Sequence, residues 1–119
     1  MELQTIRMDD TLTVVSLNGR LDLSGVDSVS LPLTTSVATR RRPAIIDLSA
    51  VEFMASLGIG LLLRNAKTLK QHDAPMVLVG PRPAVEKTLR SAGVTELMPI
   101  AATMEEALRL VESGNRPAE

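Results

Sequence analysis

VEFMASLGIGLLL, residues 51–63, holds the transition on which the fold turns. Two apolar residues, Phe53 and Met54, give way to Ala55, a lone serine (Ser56) and two glycines, Gly58 and Gly60, before a leucine run. Just upstream, Ala44, Ile45 and Ile46 are consecutive within residues 43–49, the pattern of a strand buried on both faces. Downstream, Ile59, Leu62, Leu63, Ala66 and Leu69 recur at helical spacing, with Arg64, Lys67, Thr68 and Gln71 opposite them. The spacing predicts a helix from Ser56 to near Asp73, ahead of Pro75. Ser56 is expected to cap it by accepting a first-turn backbone N–H. The glycines are expected to let helix and strand pack closely.

Working outward, residues 3–8 read as a strand and Asp9-Asp10 as a turn. Residues 11–19 read as the partner strand, rich in Thr and Val and ended by Asn18-Gly19. Its apolar alternation slips by one at Val14-Val15, which implies either two buried faces or a bulge. A helix is expected between residues 26 and 40. Pro32 belongs in its first turn with Ser30 as the cap, or else the helix starts earlier and kinks. The run Arg40-Arg41-Arg42 suits a helix C-terminus, where cations meet the negative end of the dipole. Residues 75–80 form a strand and Gly80-Pro81 a turn. Residues 83–93 form a helix with Pro at its start and Gly at its end. Residues 96–101 form a short strand whose Pro99 points to a sheet edge. The last helix spans residues 103–113, opened by a Thr103/Glu106 capping box. His72 falls at a helix end, facing the dipole or solvent.

The order is βαβ-like throughout after an initial hairpin. It predicts an α/β domain over residues 1–113, with a mixed sheet of about five strands and four helices. The first hairpin is antiparallel and the rest mostly parallel. Residues 114–119 are expected to be a flexible polar tail. At 119 residues the chain is one domain's worth.

Composition removes several function classes. The formal net charge is −1, so no global field calls for nucleic acid or an anionic membrane. Phe53 is the only aromatic residue, so stacking platforms for single-stranded nucleic acid are missing. No cysteine and one histidine exclude disulfides, thiolate nucleophiles and His-rich metal sites. No catalytic constellation, cofactor motif or metal motif appears: Gly58-x-Gly60 lacks the third glycine of a dinucleotide loop, since Leu63 stands there. The N-terminal segment has no apolar signal core and no run reaches membrane-spanning length, so a cytoplasmic protein without membrane insertion is expected.

Ser56 has a further reading. A helix N-terminus tolerates a phosphate, which adds about −1.5 to −2 charges. A partner packed on an apolar rim there would be expelled without the domain refolding.

The stretches NGRLDLSG and AIIDLSAVEFMASLGIGLLLRNAK resemble the STAS domain of bacterial anti-sigma factor antagonists, with similarity over nearly the whole chain. The resemblance implies that Ser56 is phosphorylated by a GHKL-type serine kinase doubling as the anti-sigma factor, and that a PP2C-like phosphatase reverses this. It implies partner switching: the unphosphorylated antagonist binds the kinase and frees the sigma factor. The family's acids near the site fall on Asp22 and Asp47. The family usually places Asp before the phosphoserine and Ser or Thr after it; here these are Ala55 and Leu57, which leave the rim more apolar. The expected contact surface is Asp22, Ser24, Met54, Ala55, Leu57, Gly58 and Ile59. The alternative role the resemblance implies is an accessory subunit of a lipid-transporter ATPase complex, permanently docked and unphosphorylated. Neither role is enzymatic.

Overall fold

The computed structural model describes residues 1–114. Within them the chain runs β1 (Glu2–Met8), β2 (Thr13–Leu21), α1 (Leu23–Ser36), β3 (Ala44–Met54), α2 (Ser56–Gln71), β4 (Met76–Val79), α3 (Pro83–Ser91), β5 (Ile100–Ala101) and α4 (Met104–Gly114). The sheet order is β1-β2-β3-β4-β5; β1 pairs antiparallel with β2, and all later pairs are parallel. This is the mixed five-stranded sheet with four helices that the alternation predicts. Gly114 closes α4, and the rest of the expected tail, 115–119, lies outside the described residues.

The slipped alternation in β2 reflects two buried faces. Val15, Leu17 and Leu21 join a cluster with Val29 and Leu33 of α1, Leu61 and Leu62 of α2 and Val85 and Leu89 of α3. Leu12 and Val14 instead meet Ile45, Val77 and Val79 with Ala107 and Val111 of α4. Three helices therefore cover one face and α4 the other. A bulge exists as well, but across the pair: Ile6 is the extra residue of β1, between Thr5 opposite Val15 and Arg7 opposite Val14.

Several boundaries differ from expectation, each for a physical reason. The β2 strand does not stop at Asn18-Gly19. Gly19 takes φ +116° and absorbs a register shift against β3, so pairing continues to Leu21 opposite Met54. The β3 strand likewise runs past Ser49 to Met54. Of the two starts expected for α1 the earlier one is found: Asp22, not Ser30, caps the helix, and Pro32 sits inside it. The helix ends at Ser36, before the arginine run. Arg41 adopts φ +58° in a turn, and Arg40 donates to the Asp9 carbonyl and to Thr13 Oγ1, tying that turn to the first hairpin. Of the last predicted strand only Ile100-Ala101 forms β5: residues 94–98 form a turn held by Val94 O, and Pro99 accepts the Leu78 N–H at 2.9 Å but has no N–H to give. Thr103 Oγ1 accepts the Glu106 N–H at 3.1 Å, realising one half of the expected capping box.

Asn65 lies in α2 at 2% exposure; its Nδ2 donates to Leu61 O at 3.0 Å while Oδ1 has no partner among the described residues. A buried orphan acceptor costs about 1–3 kcal/mol. Asn65→Leu is therefore expected to raise stability by about 1 kcal/mol in urea unfolding, since an apolar group of like size needs no partner. A lower midpoint would show that the carbonyl is satisfied in solution.

Candidate functional site

Parallel strands β2 and β3 end side by side, Arg20 opposite Phe53 and Leu21 opposite Met54. Each hands the chain directly to a helix, so α1 and α2 start next to one another. One backbone bond joins the two starts: Ala55 N–H donates to Leu21 O at 2.9 Å. Gly58 is required by this proximity. A Cβ there would stand 2.9 Å from Leu21 Cβ and 3.2 Å from Leu21 O. Gly60 is not so constrained, since only the Arg64 head group approaches, at 3.6 Å.

Ser56 is not the cap of α2. Ala55 holds that position with extended backbone (φ −88°, ψ 167°), and no side chain caps the helix. Ser56 is the first helical residue, and its side chain is exposed. The first helical bonds run from Gly58 and Ile59 to Ala55 O. The N–H groups of Ser56 and Leu57 precede that ladder, at the positive end of the dipole. No acidic residue occupies the first turn.

On the other helix start, Asp22 Oδ1 accepts the Gly25 N–H at 2.9 Å, and Arg20 Nε lies 3.5 Å from Asp22 Oδ2. The Gly25 bond first, and the Arg20 guanidinium after it, hold the Asp22 carboxyl below the ordinary carboxylate range. Arg20 also sits over the Phe53 ring, 4.6 Å from its centroid. A carboxylate with a depressed folded pKa stabilises the fold above its unfolded value, about 3.9, and loses that contribution as pH falls through the folded value. Asp22→Asn keeps a capping oxygen but does not titrate. Its unfolding midpoint is expected to approach that of the unaltered protein on acidification from about pH 5 to about pH 3. A gap that stays constant with pH would refute the cap's titration.

Of the predicted site residues, Ser24, Ser56 and Leu57 are exposed, and Asp22 and Ala55 are half-buried. Met54, Gly58 and Ile59 are buried. These three lie beneath the exposed residues and offer at most a small part of their surface. Asp47 lies on β3 and accepts the Ser49 N–H at 2.9 Å. The sequence reading missed two members of the rim: Leu23 is 65% and Phe53 41% exposed, beside Leu57 at 52%. A lone aromatic residue in a chain with no other was the available signal for Phe53. The rim thus has the exposed Ser56 hydroxyl and Leu57 at the start of α2 and exposed Leu23 at the adjoining start of α1, with Phe53 exposed at the end of β3 under Arg20. Among the described residues no cluster of three or more His, Asp or Glu side chains suits a metal, and no helix is long and apolar enough to cross a membrane.

Known proteins are similar to this chain in sequence and overall fold. The anti-sigma F factor antagonist of Paenibacillus polymyxa is 28% identical over 100 residues, covering 83% of this chain and 86% of that one. An anti-sigma factor antagonist from Mycobacterium paratuberculosis, of solved structure, is 27% identical with a TM-score of 0.79, covering 93% of this chain and 95% of that one. The Bacillus cell fate determinant SpoIIAA, solved in its phosphorylated form, is 26% identical with a TM-score of 0.68, covering 92% and 99% respectively. The family model described as STAS domain matches residues 3–107, and the chain belongs to that family.

Proposed function

We propose that the protein is an anti-sigma factor antagonist which binds an anti-sigma factor of the GHKL serine-kinase type through the rim around Ser56, and which phosphate on Ser56 releases. The observation that carries this reading is the exposed Ser56 hydroxyl at the first helical position of α2, next to exposed Leu57 and at the helix start that adjoins the start of α1 with its exposed Leu23. The antagonist relatives support it, as does the existence of SpoIIAA in a phosphorylated form. Exposed apolar side chains beside a hydroxyl favour a docked protein, and such a contact makes an added dianion costly to cover, because its water must be stripped. The free amides at the start of α2 keep the phosphorylated domain folded, so the modification acts on binding. The kinase transfers the γ-phosphoryl of ATP to Ser56 Oγ, releasing ADP, and a PP2C-like phosphatase hydrolyses the ester to restore the hydroxyl.

Incubation with the cognate kinase and ATP is expected to place one phosphate on Ser56, mapped by mass spectrometry. Label on another residue, or no label, removes the switch. Co-purification with a transporter ATPase in place of a kinase would assign the protein to the accessory-subunit class instead.

A further inference from the structure

The outer face of α2 carries cations that form no ion pair among the described residues. The helix, SLGIGLLLRNAKTLKQ, holds Arg64, Lys67 and Lys70 and no carboxylate. All three are exposed, and none belongs to an ion pair among the described residues. The other outer helices differ: on α3 Arg90 reaches Glu86 at 2.8 Å, and on α4 Arg109 reaches Glu105 at 3.1 Å, each one turn earlier.

Folding accounts for only part of this. Lys70 stands in the last turn, where a cation complements the dipole, and it shares a surface cleft with Glu96. Arg64 and Lys67 have neither reason. They are three residues apart in mid-helix, where like charges repel. Arg64 moreover reaches backwards: its Nη1 lies 3.6 Å from where a Gly60 Cβ would stand, over the bare turn that follows Ser56. Its charge is carried toward the positive end of the helix, the direction the dipole disfavours, and toward Leu57 and the rim.

We propose that Arg64, Lys67 and Lys70 form a steering surface for an acidic patch on the same anti-sigma factor that the Ser56 rim seats, an inference that rests on the proposed function. The net charge of the chain is −1, so the molecule as a whole offers no attraction to an acidic partner, and the local face supplies it. Exposed charges next to an apolar rim act mainly on the encounter rate, and the rim sets the lifetime of the complex.

The test is binding kinetics between the purified protein and its cognate anti-sigma factor from about 0.02 to about 0.3 M salt. The double variant Arg64→Glu/Lys67→Glu is expected to associate about 10-fold more slowly at low salt, with dissociation unchanged and the difference shrinking at high salt. Equal association rates, with Ser56→Asp still weakening the complex, would overturn the steering face and leave the rim reading intact. Absence of any complex with the unaltered protein would overturn both. A partner-free measurement uses short poly-L-glutamate as the probe: amide shifts are expected to centre on residues 64–71 and to vanish at high salt. Shifts spread equally over Arg7, Arg82 and Arg90, or tighter binding to phosphatidylserine vesicles than to the peptide, would also overturn the assignment.

Discussion

Gly25→Ala is expected to cost the domain on the order of 3 kcal/mol or more. A Cβ built on Gly25 falls 1.9 Å from the Arg20 carbonyl oxygen and 3.0 Å from the Arg20 carbonyl carbon. Both are backbone atoms at the end of β2, so no side chain can swing aside. Relief requires α1 to lift from the strand, which breaks the Gly25 N–H bond to Asp22 and loosens Val29 and Leu33 beneath. Gly60→Ala is the matched control. Nothing but the flexible Arg64 head group is near it, and alanine in a helix interior is favoured over glycine by about 1 kcal/mol. Urea unfolding followed by far-UV circular dichroism is expected to move the two midpoints in opposite directions. A Gly25→Ala midpoint equal to that of the unaltered protein would show that α1 does not start against the Arg20 backbone as described.

The second large effect falls on binding. Ser56→Asp is expected to weaken the complex with the anti-sigma factor by about 100-fold or more, since a charge forced into a desolvated apolar contact costs several kcal/mol. The same substitution is expected to stabilise the isolated domain by about 0.3–1 kcal/mol, because an anion enters an acid-free first turn. Ser56→Ala is expected to leave affinity within a few fold. Opposite signs for folding and binding separate a switch from simple damage. Titration calorimetry reads the affinity, and unaltered binding of Ser56→Asp would remove the rim from the contact surface.

How far the sequence reveals this arrangement depends on which force dominates locally. The α2 helix and the first half of β3 are plain in it, because Ile59, Leu62, Ala66 and Leu69, and the run Ala44 to Ile46, are buried and their periodicity is the burial itself. The α1 helix is obscure because its pattern misleads: Leu23 and Leu31 are apolar and exposed, while Gly25 is small and buried. Its cap is Asp22, which the sequence offers equally as a site residue. The second half of β3 is hidden by register shifts that place Glu52 and Phe53 both outward. Ser56 is identifiable from the turn it occupies, but whether it caps the helix or opens it depends on one residue of backbone geometry. Leu23 and Phe53 join the rim only through the pairing of two strands distant in sequence, which no local pattern encodes.

The bulge at Ile6 has a bearing on how this domain lives among copies of itself. The β1 strand is one of the sheet's two open flanks, and the other, β5, is two residues long. A second chain laid along β1 in regular register would match its backbone only as far as Thr5 before the extra residue threw the two out of step. Strand addition is thereby disfavoured at both sides, at one by an interruption and at the other by want of length.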